Sequence, residues 1–424
     1  IYFGNDDLTR LMIQPTQLGV ALNTKGLVLR SDREFYCNYR ITSNDGFHSG
    51  SITCKGEVAK GRIFRPGHMI TSNAFIQKSN TVSMMALEDA TVTISNLPPG
   101  LDLANVGVTN GTEIFTLNQG QTLTLSAIYF LFNPNDTRGF FGSLIESTGD
   151  LVINCGSHTG GILANNLRDI GIDQIVPMNA LGDEYILVRG NGTDQMENVM
   201  VMIHEDNTEV NVNGLFEGVY NAGEYVVLDA FFYSNSDNMY ISTNNNVAVY
   251  QMIGGLPDTR TYGMNFIPPV SCLGEPDVNN IPYYNSIDDF TYTGNIIIIA
   301  RVFFPVSING IQLPLNLARP VPGNPDYVTY KISNDLGVDH IRVTSAANVQ
   351  VGLMGGNDAI GFAGYFSGFE RYPKAIIADL DSINGFCLDS LRALGTYEKI
   401  DWYYLDSLIA IDQNVIPSYG PGEY

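Results

Sequence analysis

Basic residues are scarce in this 424-residue sequence, where 22 lysines and arginines stand against 44 aspartates and glutamates, for a formal net charge of −22. A surface this acidic repels phosphate backbones, so nucleic acid is an unfavourable partner. Long hydrophobic runs are also missing. The nearest, residues 296–306, is interrupted by Arg301 and Pro305 and falls short of the roughly 18 apolar residues that a membrane-spanning helix needs. The sequence therefore predicts neither nucleic-acid binding nor membrane insertion.

Motifs of catalysis are missing as well. The sequence contains no GxSxG elbow, HExxH helix, Walker loop or GxGxxG fingerprint, and its five histidines are scattered. The most suggestive segment is 155–161, where glycines surround Cys155 and His158. A cysteine–histidine nucleophile needs an orienting acid and an oxyanion hole. The similar segment 246–255 keeps neither residue, so a turn is the favoured interpretation and we expect no enzyme.

The five cysteines include no CxxC pair, which excludes zinc-ribbon and thioredoxin-like chemistry. Cys37 and Cys54 lie in adjacent strand-like runs and are candidates for a disulfide across a hairpin-like loop. Cys155 and Cys272 are candidate partners at long range. Because the number is odd, at least one thiol is free or pairs elsewhere. The cysteines are compatible with an oxidising compartment.

Strand-like patterns dominate the chain. Short runs rich in Val, Ile, Tyr, Phe and Thr, such as residues 199–204 and 224–228, alternate with Asn, Asp and Gly turns about ten residues apart. Asparagine and glycine accept positive φ at low cost, which suits tight turns. The sequence therefore predicts an all-β, antiparallel protein.

Several segments recur along the chain. Residues 117–127 match 220–230 in pattern, and residues 210–214 recur as 306–310, with a period of about 95–105 residues. Each repeat offers about six short strands, enough for a two-sheet sandwich. A propeller-like ring is the alternative, although its blades run about 40–50 residues. We predict a repeat domain over residues 1–373, with sandwich-like repeats at 1–78, 79–195, 196–292 and 293–373.

The pattern changes in residues 374–424, which read as a linker and the first half of an immunoglobulin-like domain. Cys387 is followed fifteen residues later by Trp402, the only tryptophan. Asp379, Asp381 and Asn384 resemble part of a calcium loop, but the twelfth position is Ser390 instead of the bidentate glutamate. Calcium is the one cofactor that the sequence suggests.

Two further groups of residues have a functional and a structural interpretation. The pairs Glu88-Asp89 and Glu205-Asp206 open matching turns and are candidates for calcium ligands or a carboxylate dyad. Charged turns that bond their own backbone are the favoured explanation. Exposed aromatic residues suggest a stacking platform for a sugar or protein, although core packing explains most of them: Phe231-Phe232-Tyr233, Tyr283-Tyr284, Tyr292 and Tyr403-Tyr404.

A combination of strings resembles a known family, and they lie at residues 1–7, 88–94, 169–177, 182–185 and 266–269. Over about residues 1–373 the chain resembles the N-terminal IgGFc-binding-protein-like domain of large, gliding-associated Bacteroidota surface proteins. The resemblance implies a secreted cell-surface adhesin module without catalytic residues, exported by type IX secretion. Its expected partners are an extracellular glycan, surface or protein, and further domains of the same polypeptide. A structural stalk, cap or filament component that self-associates is the alternative.

Overall fold

The structure is a computed structural model that describes residues 12–33, 35–43, 48–70, 80–128, 138–161, 168–255, 261–270, 274–287, 290–357, 360–369, 374–381, 387–394, 400–404 and 407–419. The chain divides into two compact units, Ile1–Phe369 and Glu370–Tyr424. Every strand pair in these ranges is antiparallel, and the helical turns found there are short 3-10 segments at Pro15–Gln17, Gly56–Ala59, Met178–Ala180, Ala230–Phe232 and Leu315–Leu317. The predicted all-β antiparallel class is confirmed.

The strands of the first unit fall into three modules preceded by a hairpin. The opening strands are β1 (Asn38–Thr42), β2 (Ser49–Thr53) and β3 (Gly61–Phe64). The first module has β4 (Asn80–Ala86), β5 (Ala90–Ser95), β6 (Asp102–Leu103), β7 (Gly107–Val108), β8 (Glu113–Leu117), β9 (Thr122–Ile128), β10 (Leu144–Gly160) and β11 (Asp169–Ile175). The second has β12 (Gly182–Val188), β13 (Val199–Ile203), β14 (Thr208–Val212), β15 (Leu215–Tyr220), β16 (Tyr225–Leu228), β17 (Asn238–Gly254) and β18 (Thr261–Phe266). The third has β19 (Glu275–Pro282), β20 (Ser286–Ile287), β21 (Phe290–Thr291), β22 (Thr293–Arg301), β23 (Val306–Ile308), β24 (Ile311–Gln312), β25 (Arg319–Pro320), β26 (Tyr327–Ser333), β27 (His340–Asn357) and β28 (Ile360–Tyr365).

The three modules share one strand order: β8-β5-β10-β4-β9, β15-β14-β17-β13-β16 and β24-β23-β27-β22-β26. In the second module, the first half of the long strand β17 pairs with β12 and β14, and its second half pairs with β13 and β18. The long strands β10 and β27 pair in the same way. Two half-sheets therefore share each long strand, and each sheet curls around a hydrophobic cluster. The clusters of the first and second modules also take in side chains of the module that follows. The sandwich-like repeat architecture is confirmed.

Two asparagine–glycine turns show how the sequence specifies this plan locally. Asn213 and Gly214 have φ of 53° and 80°, and Asn309 and Gly310 have 49° and 77°. Two successive residues with positive φ are typical of the tight hairpin turns that match strand twist. Asn213 Oδ1 accepts the backbone N–H of Tyr240 at 3.0 Å, and Asn309 Oδ1 accepts that of Arg342 at 2.8 Å. The repeated asparagine therefore anchors each hairpin to the long strand beside it.

The last strands of the modules, β11, β18 and β28, meet one another and β2. Ser51 Oγ on β2 donates to the carbonyl of Ala363 on β28 at 2.6 Å, and Ser49 Oγ donates to that of Gly361 at 2.7 Å. Residues 12–70 supply this hairpin and β3, which joins the first module by pairing with β10. The three modules are thus joined around the strand that carries the 169–177 string.

The second unit contains β29 (Lys374–Asp381), β30 (Cys387–Leu394), β31 (Asp401–Tyr404), β32 (Ser407–Ile411) and β33 (Val415–Pro417). They form the sheets β29-β30-β33 and β31-β32. Trp402 lies on β31, is buried with Leu391 and Ile416, and donates its indole N–H to the Gln413 carbonyl at 2.7 Å. The immunoglobulin-like assignment of this unit stays a prediction.

Candidate functional site

Asp169, the first residue of β11, is buried and surrounded by backbone donors. Its carboxylate accepts the N–H groups of Ser49 at 2.6 Å, Ile170 at 2.9 Å and Gly361 at 2.7 Å. Burial raises the pKa of Asp169 well above its ordinary value, and these bonds oppose the shift. One side chain therefore fastens β2 and β28 to β11.

Asp173 lies four residues further along β11, on the same face of the strand, and has the same type of role. Its Oδ1 accepts Lys55 Nζ at 2.6 Å and the Thr53 N–H at 3.2 Å, and its Oδ2 accepts the Phe266 N–H at 3.1 Å. The exposed fractions of the Lys55 and Asp173 side chains are 1% and 3%. Burial lowers the pKa of Lys55 and raises that of Asp173, while their mutual attraction opposes both shifts.

Glu197 is the third buried carboxylate, and it lies between the second and third modules. It accepts three glycine N–H groups, from Gly190 at 2.9 Å, Gly192 at 3.0 Å and Gly254 at 2.9 Å. Lys331 of the third module donates to the Gly190 carbonyl at 2.9 Å. Burial raises the pKa of Glu197. We call Asp169, Asp173 and Glu197 the junction carboxylates. Asp169 and Asp173 bond directly to other strands of the junction, and Glu197 holds the glycine segment that Lys331 of the third module contacts.

Sequence reasoning missed this role, although a signal was present. Asp169 and Asp173 stand four residues apart in a strand whose burial alternates, so both point to its buried face. A buried carboxylate is costly unless it is paired or hydrogen-bonded. An i, i+4 pair of aspartates on the apolar face of a strand therefore indicates either a functional group or a polar junction, and here it is a junction.

Cys155 and His158 lie on β10 but not together. Cys155 is buried, and the backbone N–H of Gly67 points to its Sγ at 3.4 Å, while the Tyr250 hydroxyl lies 3.8 Å from it. Burial raises the pKa of the Cys155 thiol to about 12, which keeps it protonated. His158 is exposed, and its odd spacing from Cys155 places it on the opposite face of the strand. The two do not form a nucleophile and base.

Cys37 and Cys54 do come together. Strands β1 and β2 pair Asn38 with Thr53, so the next residues outward, Cys37 and Cys54, lie opposite each other. The Cys54 N–H donates to the Cys37 carbonyl at 2.8 Å, and the two free thiols are within hydrogen-bonding contact. That contact lowers the pKa of Cys37 to about 7 and raises that of Cys54. A disulfide between them stays a prediction.

The predicted Cys155–Cys272 disulfide and the predicted calcium site fall partly outside the described residues. Cys272 and Asn384 are not among those residues, and the side chains of Asp379 and Asp381 on β29 are not described. The predicted pairing of Cys155 with Cys272 and the predicted calcium site both stay predictions. Among the side chains that the structure does describe, no three His, Cys, Asp or Glu converge into a group that could hold a metal ion.

The acidic turn pairs brace the turns beside them. In the first module Asp89 Oδ1 accepts the Gln119 N–H at 2.8 Å. In the second, Asp206 Oδ1 accepts the Ala222 N–H at 3.0 Å. Gln119 and Ala222 occupy the same position of the matched segments 117–127 and 220–230. The repeated aspartate therefore has a repeated structural role, linking two turns at one end of each module.

The aromatic residues do not form one platform. Tyr284 and Tyr292 are buried in the core of the third module, and Tyr233 is buried and hydrogen-bonded to Gln251 at 2.9 Å. Phe231 and Tyr283 are exposed. Core packing thus accounts for part of this group, and the exposed Phe231 contacts Phe232 edge to face, with ring centroids 6.4 Å apart.

The outer surface of the second module has an unusual composition. Between Arg189 and Arg260 the sequence has no lysine or arginine and ten acidic residues. The last strand of this sheet, β15, exposes three large apolar side chains: Leu215 at 74%, Phe216 at 64% and Val219 at 55%. Glu209, opposite Val219 in the register, and Glu217 are exposed beside them. We call the β14–β15 hairpin with these side chains the acidic edge.

A family model described as IgGFc binding protein matches residues 59–355. The chain belongs to this family. The match begins just before β3 and ends within β27, so the IgGFc-binding region includes the junction carboxylates and the acidic edge, while the second unit lies outside it. A comparison with curated proteins returned no match.

The IgGFc-binding family is described by binding and not by a reaction, which favours a non-catalytic binding module. Within the parts of the chain that the structure describes, no helix is long and apolar enough to span a membrane. The acidic edge combines exposed apolar side chains with unbalanced negative charge, and it is the candidate binding surface of this family member.

Proposed function

We propose that this chain is a non-catalytic binding module of an extracellular, cell-surface adhesin that engages a protein, a glycan or another surface. The observation that carries the proposal is the family match across all three modules. The environments of the reactive side chains support a non-catalytic role. Cys155 is buried and protonated, and the junction carboxylates accept hydrogen bonds from backbone N–H groups. A carboxylate whose lone pairs are used this way is poorly placed for acid–base chemistry.

Immobilised ligands test the proposal directly. Purified chain 1–424 is passed over glycan arrays and over extracellular proteins, with an unrelated protein of similar net charge as the control for non-specific attraction. We expect retention that the control lacks. Cells that lack residues 59–355 should attach less well to the same surfaces. No retention on any ligand, together with unchanged attachment, would contradict an adhesin role.

The proposal also covers how the protein is exported and where it is placed on the cell. Export through type IX secretion and a place among Bacteroidota surface proteins follow from the resemblance of the N-terminal and 169–177 strings. Sequencing the full gene product tests them. We expect a C-terminal sorting domain and further immunoglobulin-like domains, and a cytoplasmic protein without either would overturn this part.

Self-association as a stalk or filament is the second candidate, and an exposed edge strand favours it because free edges pair readily. Light scattering at low and high ionic strength tests it. Oligomers that grow as salt screens the acidic surfaces would support this role. A chain that is monomeric under both conditions would contradict it.

A further inference from the structure

We infer that the outer edge of β15 is the docking site for an extended segment of a partner protein that carries basic and apolar residues on the same face. The inference rests on the proposed binding function and names the partner's chemistry. The register of β14 and β15 places Glu209, Phe216 and Val219 on one face of the sheet. An added strand of this type would pair with the free edge and bring both cationic and apolar side chains to that face.

The free edge supplies the backbone part of the interaction. Strand β15 pairs with β14 on one side, and no other described strand pairs with it. It has six residues, against five in β8 and two in β24, its counterparts in the other modules. An unpaired edge presents N–H and C=O groups that an incoming strand can bond without regard to its sequence.

The hairpin is held in place before any partner arrives. Asn213 at its turn accepts from Tyr240 and donates Nδ2 to the Phe232 carbonyl at 2.7 Å. The same turn packs closely against Gly323 of the third module, where a Cβ would lie 2.6 Å from the Asn213 carbonyl carbon. A preformed edge loses little conformational entropy on binding, which favours affinity.

The exposed side chains of β15 supply the apolar contacts with the partner segment. Proteins protect long edges with lysine, proline or β-bulges. Strand β15 has neither lysine nor proline, and a bulge at Glu217 interrupts its register with β14. It exposes Phe216 and Val219 on the face that carries Glu209, and Leu215 on the opposite face. An added strand would therefore meet apolar side chains on both of its faces.

The charge decides between a foreign partner and a second copy. Glu209, Glu217 and Glu224 are exposed, and none forms an ion pair with lysine or arginine within the described part of the chain. Burial raises the pKa of the Tyr220 phenol, and the charges of Glu217 and Glu224 beside it raise that pKa further. Pairing two β15 edges would bring these like charges together, whereas a basic strand neutralises them.

The experiment uses the whole chain and an eight-residue peptide with the repeat Lys-Lys-Val-Val, which places lysine and valine on each face of an added strand. Binding is measured by fluorescence anisotropy for the wild type, for Glu209→Gln/Glu217→Gln and for the matched control Asp102→Asn/Glu113→Gln in the first module. We expect the first double variant to bind about tenfold more weakly, with the control unchanged. A second peptide with two central valines replaced by proline should not bind, because proline cannot pair along the strand.

Each other outcome overturns the docking site. Equal binding of the proline peptide would indicate charge attraction without strand pairing. Equal weakening in the control variant would indicate a diffuse effect of net charge. If the Lys-Lys-Val-Val peptide does not bind while the chain is still retained on a surface ligand, the edge is not the site and the proposed binding function remains. Circular dichroism of each variant verifies that the fold is kept.

Discussion

Carboxylates in two regions of this molecule have opposite environments. The junction carboxylates Asp169, Asp173 and Glu197 are buried, and each accepts several backbone N–H groups. Glu209 and Glu217 on the acidic edge are exposed and lie beside exposed apolar side chains. Residues of the same chemical type therefore join modules in one region and are available for a partner in the other.

The difference shows how burial decides what a charge can do. A buried carboxylate loses its hydration and must recover that free energy from donors within the protein, so removing a donor is costly. An exposed carboxylate keeps its water and contributes little to stability until a charged partner displaces that water. The junctions should therefore be sensitive to substitution when stability is measured, and the edge when binding is measured.

The largest effect is expected from Lys55→Met. The substitution leaves Asp173 buried without its cation, and breaking a buried ion pair from one side costs about 3–5 kcal/mol. Chemical denaturation should show a loss of this size in the free energy of unfolding. Lys60→Met is the matched control, since Lys60 pairs with Glu57 on the surface at 2.6 Å. Equal losses in the two variants would remove the distinction between buried and exposed charges.

A second effect concerns pH and His68, which is buried and stacked on Phe141 with ring centroids 3.7 Å apart. Burial lowers the pKa of His68 to about 4 from the usual 6.5. Between these values the unfolded chain binds a proton that the folded chain does not, so stability falls as the pH is lowered through this range. The loss attributable to His68 is about 3 kcal/mol.

The variant His68→Gln isolates this contribution. Denaturation at pH 7 and pH 4 should show a smaller loss on acidification in the variant than in the wild type. The exposed His340→Gln is the control and should behave like the wild type. The comparison with wild type is necessary because the raised pKa of Asp169 acts in the opposite direction, adding stability as the pH falls. An equal loss in His68→Gln would contradict the assignment.

The third prediction is the Cys37–Cys54 disulfide, which would fix the hairpin that carries Lys55 to the junction. Glutathione disulfide should accept the two electrons, so that both thiols lose their protons and two glutathione thiols are released. We expect a mass lower by two hydrogen atoms and stabilisation of about 2–4 kcal/mol, which a reductant reverses. Cys37→Ser/Cys54→Ser should not respond to either reagent. No mass change on oxidation would exclude the bond.

The smallest effect is expected from Arg62→Gln. Arg62 bonds Glu88 at 2.9 Å and Asp150 at 2.8 Å on the surface of the first module. Exposed pairs are screened by water and salt, so the unfolding midpoint should not change measurably. A large drop in the unfolding midpoint would show that exposed charges stabilise the fold as strongly as buried ones.

Much of the fold was predictable because its signals are local. The alternation of apolar residues, the asparagine–glycine turns at Asn213 and Asn309, and the recurrence of 117–127 as 220–230 all depend on neighbours in the chain. The sites were less predictable, because Cys155 and His158 are near in sequence but on opposite faces of one strand.

The sequence by itself determined the strand class, the tight turns and the shortage of positive charge around the second module, since each depends on residue type and spacing alone. Only the tertiary structure decided that Asp169 and Asp173 are buried at a junction while Glu209 and Glu217 remain in water. The reason is that the donors come from distant parts of the chain, as in the bond from Gly361 to Asp169, which are 192 positions apart. The local alternation of β11 places both aspartates on one face but does not specify which strands cover that face.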